Sequence, residues 1–375
     1  MRNKLTDKEY NAFFACLRAG LWGKEVLLSQ YRSIDFNDVL HLAKEQSVVG
    51  LVAAGIEHAV DINVSQTEVL QFVGHTLQIE QQNKAMNMFI ALLISKMRDA
   101  GIYGLLLKGQ GIAQCYERPL WRACGDVDLF LSEDNYIKAK ELILPIASSV
   151  ETEYLHEKHQ GMTIDGWVVE LHGHLYSGLS PRIEKGLDEI KNAIFYEGKV
   201  RSWMDDRTQV FLPAADEDVI YVFTHILQHF YKGGIGIRQI CDWCRLLWTY
   251  RDSMNHELLK SRIRKMGLMS EWKSFAAFAV DYLGMPKEAM PFFSSNEKWK
   301  RKAYRICYFI MKVGNMGHNR DNSYYSKYPF VVHKFMSFGR RWGDLWHHAK
   351  IFPLDSLTFF TSIVINGVRS AANRE

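Results

Sequence analysis

The sequence predicts an α+β fold, in which a small core with a mixed sheet is flanked by helical N- and C-terminal regions. Two segments, 126–131 and 168–172, alternate polar and apolar residues, as strands with one buried face do. Between apolar runs, the pair Asp165-Gly166 predicts a tight hairpin turn just before the second segment. Apolar residues at helical spacing on both sides of these segments complete the pattern.

The N-terminal region, residues 1–98, is predicted to be helical throughout. Two residue pairs have the spacing of a capping box, in which a hydroxyl and a carboxylate satisfy the free N–H groups of a helix start. These pairs are Thr6 with Glu9 and Ser65 with Glu68. We expect the second box to open a long helix that reaches about Arg98.

Residues 99–212 form the predicted α/β core. Its expected elements are a buried strand at Tyr103–Leu107, a short helix at Gly111–Glu117, a strand at Asp126–Leu131 and a helix from Glu133 to about Ile146. The Asp165-Gly166 hairpin then brings Glu170 beside the sheet.

The third region, residues 213–375, is predicted to be helical and begins with an acidic turn at 216–218 that suits a helix N-terminus. Substrate is expected between the core and the flanking helices.

Three carboxylates stand where neighbouring strands would bring them together. Asp126 and Asp128 are two residues apart on one strand and therefore share a face, while the residues between them point into a core. Glu170 repeats this pattern on a second strand. Mg²⁺ prefers oxygen ligands and is commonly held by one or two carboxylates together with substrate phosphates and water. Two such ions, about 3.5–4 Å apart, activate an attacking oxygen and stabilise a leaving one.

In these segments the chain resembles the nucleotidyltransferase superfamily that includes DNA polymerase beta, and more closely its branch of uncharacterised bacterial proteins. The resemblance covers residues 102–175. It rests on Leu105-Leu-Leu-Lys-Gly-Gln-Gly111, on Arg122-Ala-Cys-Gly-Asp-Val-Asp128 and on Val168-Val-Glu-Leu-His172. It implies an enzyme that uses Mg²⁺ or Mn²⁺ to move a nucleoside monophosphate from a nucleoside triphosphate (NTP), expected to be ATP, to a hydroxyl or phosphate acceptor.

The resemblance also implies roles for single residues. It implies that three acids are both metal ligands and catalytic residues, namely Asp126, Asp128 and Glu170. Lys108 and Gly109 occupy the turn that approaches the triphosphate, where the wider superfamily usually has two small residues, so Lys108 is a departure. Arg122, four residues ahead of Asp126, is expected to contact phosphate or to lock the loop.

Several histidines accompany the acids. Glu170, His172 and His174 fall on one strand face, which in another context suggests zinc or iron. Because the other acids make the site rich in oxygen, we favour Mg²⁺ and expect His172 to orient a ligand or to contact substrate. His225 and His229 share a face of a predicted helix. Without an identified third ligand, these two are interpreted as structural.

The segment 238–244 holds two further patterns. Cys241 and Cys244 have the spacing of half a zinc site or a redox pair, but a second pair is missing and the surroundings are helical, so buried thiols are predicted. Arg238 and Asp242 stand four residues apart. They form either a simple ion pair, which we favour slightly, or a site in which Arg238 reaches a nucleotide.

The bulk composition is that of a soluble globular protein of two or three domains. The chain has 375 residues, of which 47% are hydrophobic and 23% charged. Its longest uncharged runs, such as 356–368, are too short to span a bilayer, so no transmembrane segment is expected. The first residues lack the apolar stretch of a signal peptide. Six cysteines without dense spacing fit a reducing compartment, and a cytoplasmic location is expected.

The net charge of +4 conceals an asymmetry. Residues 298–350 contain 12 Lys or Arg but only two acids, Asp321 and Asp344, and aromatic residues such as Trp299 and Trp342 are interleaved with them. This mixture suits an anionic surface, either RNA or an acidic membrane. The alternative, which we favour, is that these residues pack onto the acidic remainder of the chain.

The acceptor cannot be read from the sequence, and a small molecule, a protein side chain and an RNA all stay open. The leading alternative to an enzyme is a non-catalytic module on the same fold that binds a nucleotide or a partner. The intact acids favour the enzyme, whereas the altered phosphate turn favours the alternative. In a third possibility, the α/β core is only the scaffold of a protein that binds RNA or a membrane surface.

Overall fold

The computed structural model describes residues 7–31, 34–62, 64–153, 158–205, 207–317, 319, 339 and 342–372. Within these ranges a mixed seven-stranded sheet carries helices before, within and after it, which confirms the predicted α+β class. The strands are β1 Gly104–Leu107, β2 Asp126–Leu131, β3 Ser149–Val150, β4 His159–Ile164, β5 Trp167–His172, β6 Val200–Asp205 and β7 Thr208–Pro213. Their order across the sheet is β3-β4-β5-β2-β1-β7-β6. The pairs β2–β5 and β1–β7 are parallel, and the other pairs are antiparallel.

The helices fall into three groups along the chain. Those ahead of the sheet are α1 Asp7–Trp22, α2 Phe36–Glu45, α3 Val49–Glu57 and α4 Gln66–Asp99. Those within it are α5 Gly109–Ala113, α6 Glu133–Ile143 and α7 Pro181–Tyr196. Those after it are α8 Ala215–Lys232, α9 Ile237–Thr249, α10 His256–Met266, α11 Met269–Asp281, α12 Glu297–Val313 and α13 Pro353–Ala372. Residues 342–349 are also helical.

Local sequence signals predicted several of these elements correctly. Ser65 and Glu68 form a reciprocal capping box at the start of α4, as expected. Asp165 and Gly166 have φ angles of 49° and 83°, and Ile164 pairs with Trp167, so the predicted two-residue hairpin turn is confirmed. The proposed box of Thr6 with Glu9 lies partly outside the described residues, because Thr6 is not among them.

The segment between β1 and β2 differs from its prediction. The helix expected at Gly111–Glu117 is α5, which begins at Gly109 and ends at Ala113. Irregular chain and a short 3₁₀ turn at Pro119–Trp121 follow it. Pro119 disfavours the helical conformation of the residue before it, and Arg118 accordingly has a φ of −121° and a ψ of 80°.

The two faces of the sheet pack against different helices. On one face, Val127, Leu129 and Leu131 of β2 join an apolar cluster with residues of α4 and α6. The opposite face carries Asp126 and Asp128, and α5, α8 and α9 cover it. The acids therefore point into an internal gap between the sheet and the C-terminal helices.

A second apolar cluster joins α1–α3, one face of the sheet and helices α7–α13. The division into regions 1–98, 99–212 and 213–375 stays a prediction. No helix in the described part of the chain is both long enough and apolar enough to cross a membrane.

The basic segment 298–350 is described in part, since residues 318, 320–338, 340 and 341 lie outside the described ranges. Helix α12 buries one apolar face, which includes Ile306, Phe309 and Ile310. Its basic residues, such as Lys300 and Arg301, lie on the exposed side. The helix thus packs onto the protein through its apolar face. Packing of the basic residues onto the acidic remainder and their contact with an anionic surface both stay predictions.

The crossing of α1 and α3 supplies a test of the core. A Cβ atom on Gly55 would lie 1.8 Å from the backbone oxygen of Cys16. We expect Gly55→Ala to lower the free energy of unfolding by about 1–3 kcal/mol or more, because backbone cannot yield as a side chain does. The matched control is Gly74→Ala in α4, where nothing lies within 4 Å. It should raise stability by about 0.5–1 kcal/mol through helix propensity. Urea denaturation measures both, and equal stability of the two variants would contradict the close crossing.

Candidate active site

The sheet brings the three predicted acids onto one face. Parallel pairing of β2 with β5 places Asp128 directly beside Glu170, and Asp126 lies two residues earlier on the same face. On the other side of β2, Leu107 of β1 pairs with Asp128, so the turn that follows β1 begins next to this carboxylate. Asp128 is 1% exposed, whereas Asp126 and Glu170 are partly exposed.

The turn after β1 has an unusual backbone. Lys108 has a φ of 50° and a ψ of −139°, and Gly109 has a φ of 44°. Positive φ suits glycine, and a residue with a side chain typically incurs a cost of about 1–3 kcal/mol there. Lys108 therefore occupies a position whose backbone favours a small residue.

Lys108 forms an ion pair with the most buried of the three acids. Its Nζ lies 3.0 Å from Asp128 Oδ1 and 3.2 Å from His225 Nε2. Burial by itself would lower the pKa of Lys108, but the negative charge of Asp128, with smaller contributions from Asp126 and Glu170, raises it above the ordinary value. The side chain is therefore charged at neutral pH.

The carboxylates repel one another in spite of this lysine. The charge of Asp128, and then burial, raise the pKa of Asp126, while Lys108 opposes the shift. No hydrogen bond to the Asp126 side chain is present among the described residues. Its carboxylate faces the gap, where a bound cation would relieve the repulsion.

A histidine cluster adjoins Glu170. His172 Nε2 lies 2.9 Å from Asp128 Oδ1 and 3.5 Å from Glu170 Oε2, and His159 Nε2 lies 3.1 Å from the same Glu170 oxygen. Burial opposes the ionisation of Glu170, but the hydrogen bonds from His159 and His172 outweigh it and lower its pKa. Burial lowers the pKa of His172, whereas its hydrogen bonds to Asp128 and Glu170 raise it, and the net shift is upward.

His159 is the residue that sequence analysis missed. The expected companion of Glu170 and His172 was His174, but His174 instead lies near Asp188, with its Nδ1 3.7 Å from Asp188 Oδ1. His159 pairs with His172 across β4 and β5. The sequence contained this signal, because the hairpin turn makes Ile164 face Trp167, and counting five residues outward from each of these two leads to His159 and His172.

Helix α8 contributes two more histidines. His225 contacts Lys108, and His229 Nε2 lies 3.0 Å from His225 Nε2. Both border the gap above the acids, and their interpretation as structural residues stays a prediction. Burial and then the positive charge of Lys108 lower the pKa of both, to about 4 for His229, so they are neutral at pH 7.

Arg122 fixes the loop ahead of β2. Its Nε and Nη2 donate to the two oxygens of Asp242 on α9 at 3.0 and 2.7 Å, and Tyr116 Oη donates to Asp242 Oδ1 at 2.7 Å. Asn83 on α4 donates to the carbonyl oxygens of Leu120 and Arg122. Arg122 borders the gap but has its guanidinium bound to Asp242.

The predicted ion pair between Arg238 and Asp242 is absent from the described part of the chain. Asp242 binds Arg122, and Arg238 Nη1 donates to the carbonyl oxygen of Ala123 at 2.9 Å. Arg238 Nε has no hydrogen-bond partner among the described residues and borders the same gap. Cys241 and Cys244 are fully buried free thiols, as predicted.

Two adjacent cavities occupy the gap. One, of about 150 Å³, is bordered by Gly109, Asp126 and Arg238, and the other, of about 170 Å³, by His159, His172 and Tyr176. Lys108, Glu170, His225 and His229 border both. A larger cavity of about 420 Å³ lies between α3 and α4, but it is mainly apolar and lacks converging charges, so it does not suit phosphate chemistry.

The chain was compared with known proteins. The family model described as uncharacterised nucleotidyltransferase matches residues 32–284, about two thirds of the chain and all the site residues described above. Comparison with curated proteins and comparison with solved structures gave no significant match.

The contacts predict opposite effects for the two aspartates of β2. Asp128→Asn should lower the melting temperature in chelator, because Lys108 and His172 lose their shared partner. Asp126→Asn should keep or raise it, since it removes the repulsion. The raised pKa of Asp126 means that wild-type stability falls as pH rises from the ordinary aspartate range through the raised value, so the Asp126→Asn advantage should grow from pH 3 to pH 7. Melting curves across this range test both effects. A lower melting temperature for Asp126→Asn at pH 7 would contradict the repulsion.

Proposed function

Since the chain belongs to the uncharacterised nucleotidyltransferase family, we propose that it moves a nucleoside monophosphate from an NTP, expected to be ATP, to a hydroxyl or phosphate acceptor. The acceptor oxygen would form a bond to the α-phosphorus while the bond to the leaving pyrophosphate breaks. The observation that carries this proposal is the register of β2 and β5, which puts Asp128 beside Glu170 with Asp126 on the same face.

The residues fit Mg²⁺ or Mn²⁺. Three carboxylates on rigid strands supply hard oxygen donors, and the upward shift in the pKa of Asp126 marks a place where added positive charge stabilises the fold. Asp126 and Asp128 would hold both ions, and Glu170 would complete the one on the acceptor side. When bound, the ions neutralise phosphate charge and activate the acceptor oxygen.

Lys108 and Gly109 would steady the triphosphate. In the structure Lys108 Nζ is bound to Asp128, between the two cavities, so a small movement of its flexible side chain carries it to an incoming phosphate. Arg122 would act by holding the loop before Asp126, and by adding positive charge where it borders the cavity. The unpaired Nε of Arg238 is a further donor for substrate. His172, which borders the second cavity, would contact the acceptor.

A non-catalytic module that binds a nucleotide or partner is the second candidate. The turn at Lys108 favours it, because this side chain occupies the place of a small residue and already neutralises Asp128. For the enzyme, the proposed acceptor is a small molecule, a protein or an RNA, and for the binding module no acceptor is needed. All six cysteines are free thiols, which supports the cytoplasm as the proposed location.

A transfer assay separates the two candidates. The protein is incubated with each labelled NTP and Mg²⁺ or Mn²⁺, with and without cell extract, and pyrophosphate and labelled acceptor are measured. We expect transfer that Asp126→Asn and Asp128→Asn each reduce by at least about a hundredfold, since they remove charge that stabilises the transition state. The control Asp165→Asn makes the same change in the exposed hairpin turn and should leave the rate unchanged. Nucleotide binding without transfer under every condition would favour the binding module.

The role of Lys108 has its own test. Lys108→Gln should weaken ATP binding more than AMP binding, because a point charge gains most from the larger phosphate charge. Lys108→Gly should do the same while relieving the positive-φ strain, so that it separates lost charge from lost folding. The control is Lys265→Gln, at an exposed lysine of α10. Calorimetry measures the affinities, and equal losses for the two nucleotides would remove Lys108 from the phosphate site.

A further inference from the structure

The second cavity contains a possible metal-binding group in which two histidines accompany Glu170. One ring nitrogen each of His159 and His172 and one carboxylate oxygen of Glu170 all lie within 4.8 Å of one another. The two nitrogens are 3.1 and 3.5 Å from Glu170 Oε2. These separations are close to those between ligand atoms that share one metal ion about 2.0–2.2 Å away.

The backbone holds this donor set in place. His159 and His172 are paired residues of the antiparallel strands β4 and β5, and their ring centroids are 4.8 Å apart. Glu170 lies two residues before His172 and therefore projects from the same face. All three donors therefore lie on paired strands that the tight turn at Asp165-Gly166 joins, and none of them lies on a long loop.

We propose that His159, Glu170 and His172 bind one divalent transition-metal ion, for which Zn²⁺ is the best fit. Two imidazole nitrogens with one carboxylate form a donor set that catalytic zinc sites use, with the fourth position left open. Mg²⁺ takes oxygen ligands and has little preference for imidazole, so the nitrogen pair distinguishes this position from the one at Asp126.

The surroundings leave room for a fourth ligand. The three residues border the cavity of about 170 Å³, together with polar side chains that include Tyr176 and Gln228. The proposed ion would take the place of the acceptor-side ion that Glu170 is proposed to complete, so its open position would face the place where an acceptor oxygen is held. This role rests on the proposed function, whereas the site itself rests only on the three donors.

Metal binding by the full-length protein tests the inference. After removal of bound metal with chelator, Zn²⁺ binding is measured by calorimetry and Co²⁺ binding by its visible absorption. Wild type should bind one equivalent at the histidine site. His159→Gln should lose at least about tenfold in affinity, as expected when a ligand is removed. Asp126→Asn should retain wild-type Zn²⁺ affinity, and so should the control His174→Ala, which changes a neighbouring histidine that lies in the cavity but outside the donor set.

Three results would overturn the inference. They are a wild type that binds neither ion, a His159→Gln protein that binds as wild type does, and equal losses in His159→Gln and Asp126→Asn. If His159→Gln does not fold, X-ray absorption of zinc-loaded wild type decides, because it detects the scattering of coordinated imidazoles, and their absence would reject the site. The transfer assay on the same preparations is read separately. Transfer without zinc binding rejects only the zinc site, and zinc binding without transfer rejects only the proposed function.

Discussion

The parallel pairing of β2 with β5 is the constraint on which the site depends. A slip of one residue would turn every side chain of a strand to the opposite face. The residues that prevent this slip are apolar, since Val127 and Leu129 on β2 and Val169 and Leu171 on β5 are fully buried. The carboxylates between them are carried to the other face as a consequence. The chemistry of the site is thus positioned by hydrophobic burial on the far side of the sheet.

Local patterns predicted the parts of the fold that depend on local rules. Alternation gave the bounds of β2, turn chemistry gave the Asp165-Gly166 hairpin, and the Ser65 capping box gave the start of α4. Contacts between distant segments were not predictable in this way. The pair of Arg122 with Asp242 joins residues 120 positions apart, and nothing near Asp242 in sequence favours Arg122 over Arg238. The contact of His225 with Lys108 was not predictable either, because it depends on how α8 lies over Lys108.

Lys108 gives the site an internal counter-charge. Its position after β1 requires a backbone conformation that favours glycine, and the side chain gains in return an ion pair with a fully buried carboxylate. A glycine would leave Asp128 with His172 as its ionic partner. One residue, Lys108, therefore affects both the backbone conformation of the turn and the electrostatics of the acids.

The buried pair of Arg122 and Asp242 also limits how the protein can move. It ties the loop ahead of β2 to α9, and both side chains are almost completely buried. Removing one partner of such a buried pair typically costs about 3–5 kcal/mol, so the pair strongly favours the conformation in which the two segments stay together. Hinged opening between the sheet and α9 is therefore a rare fluctuation. A ligand of the proposed site would then exchange through side-chain rearrangement, and Lys108 and Arg238, which border the cavity, would control how long it stays.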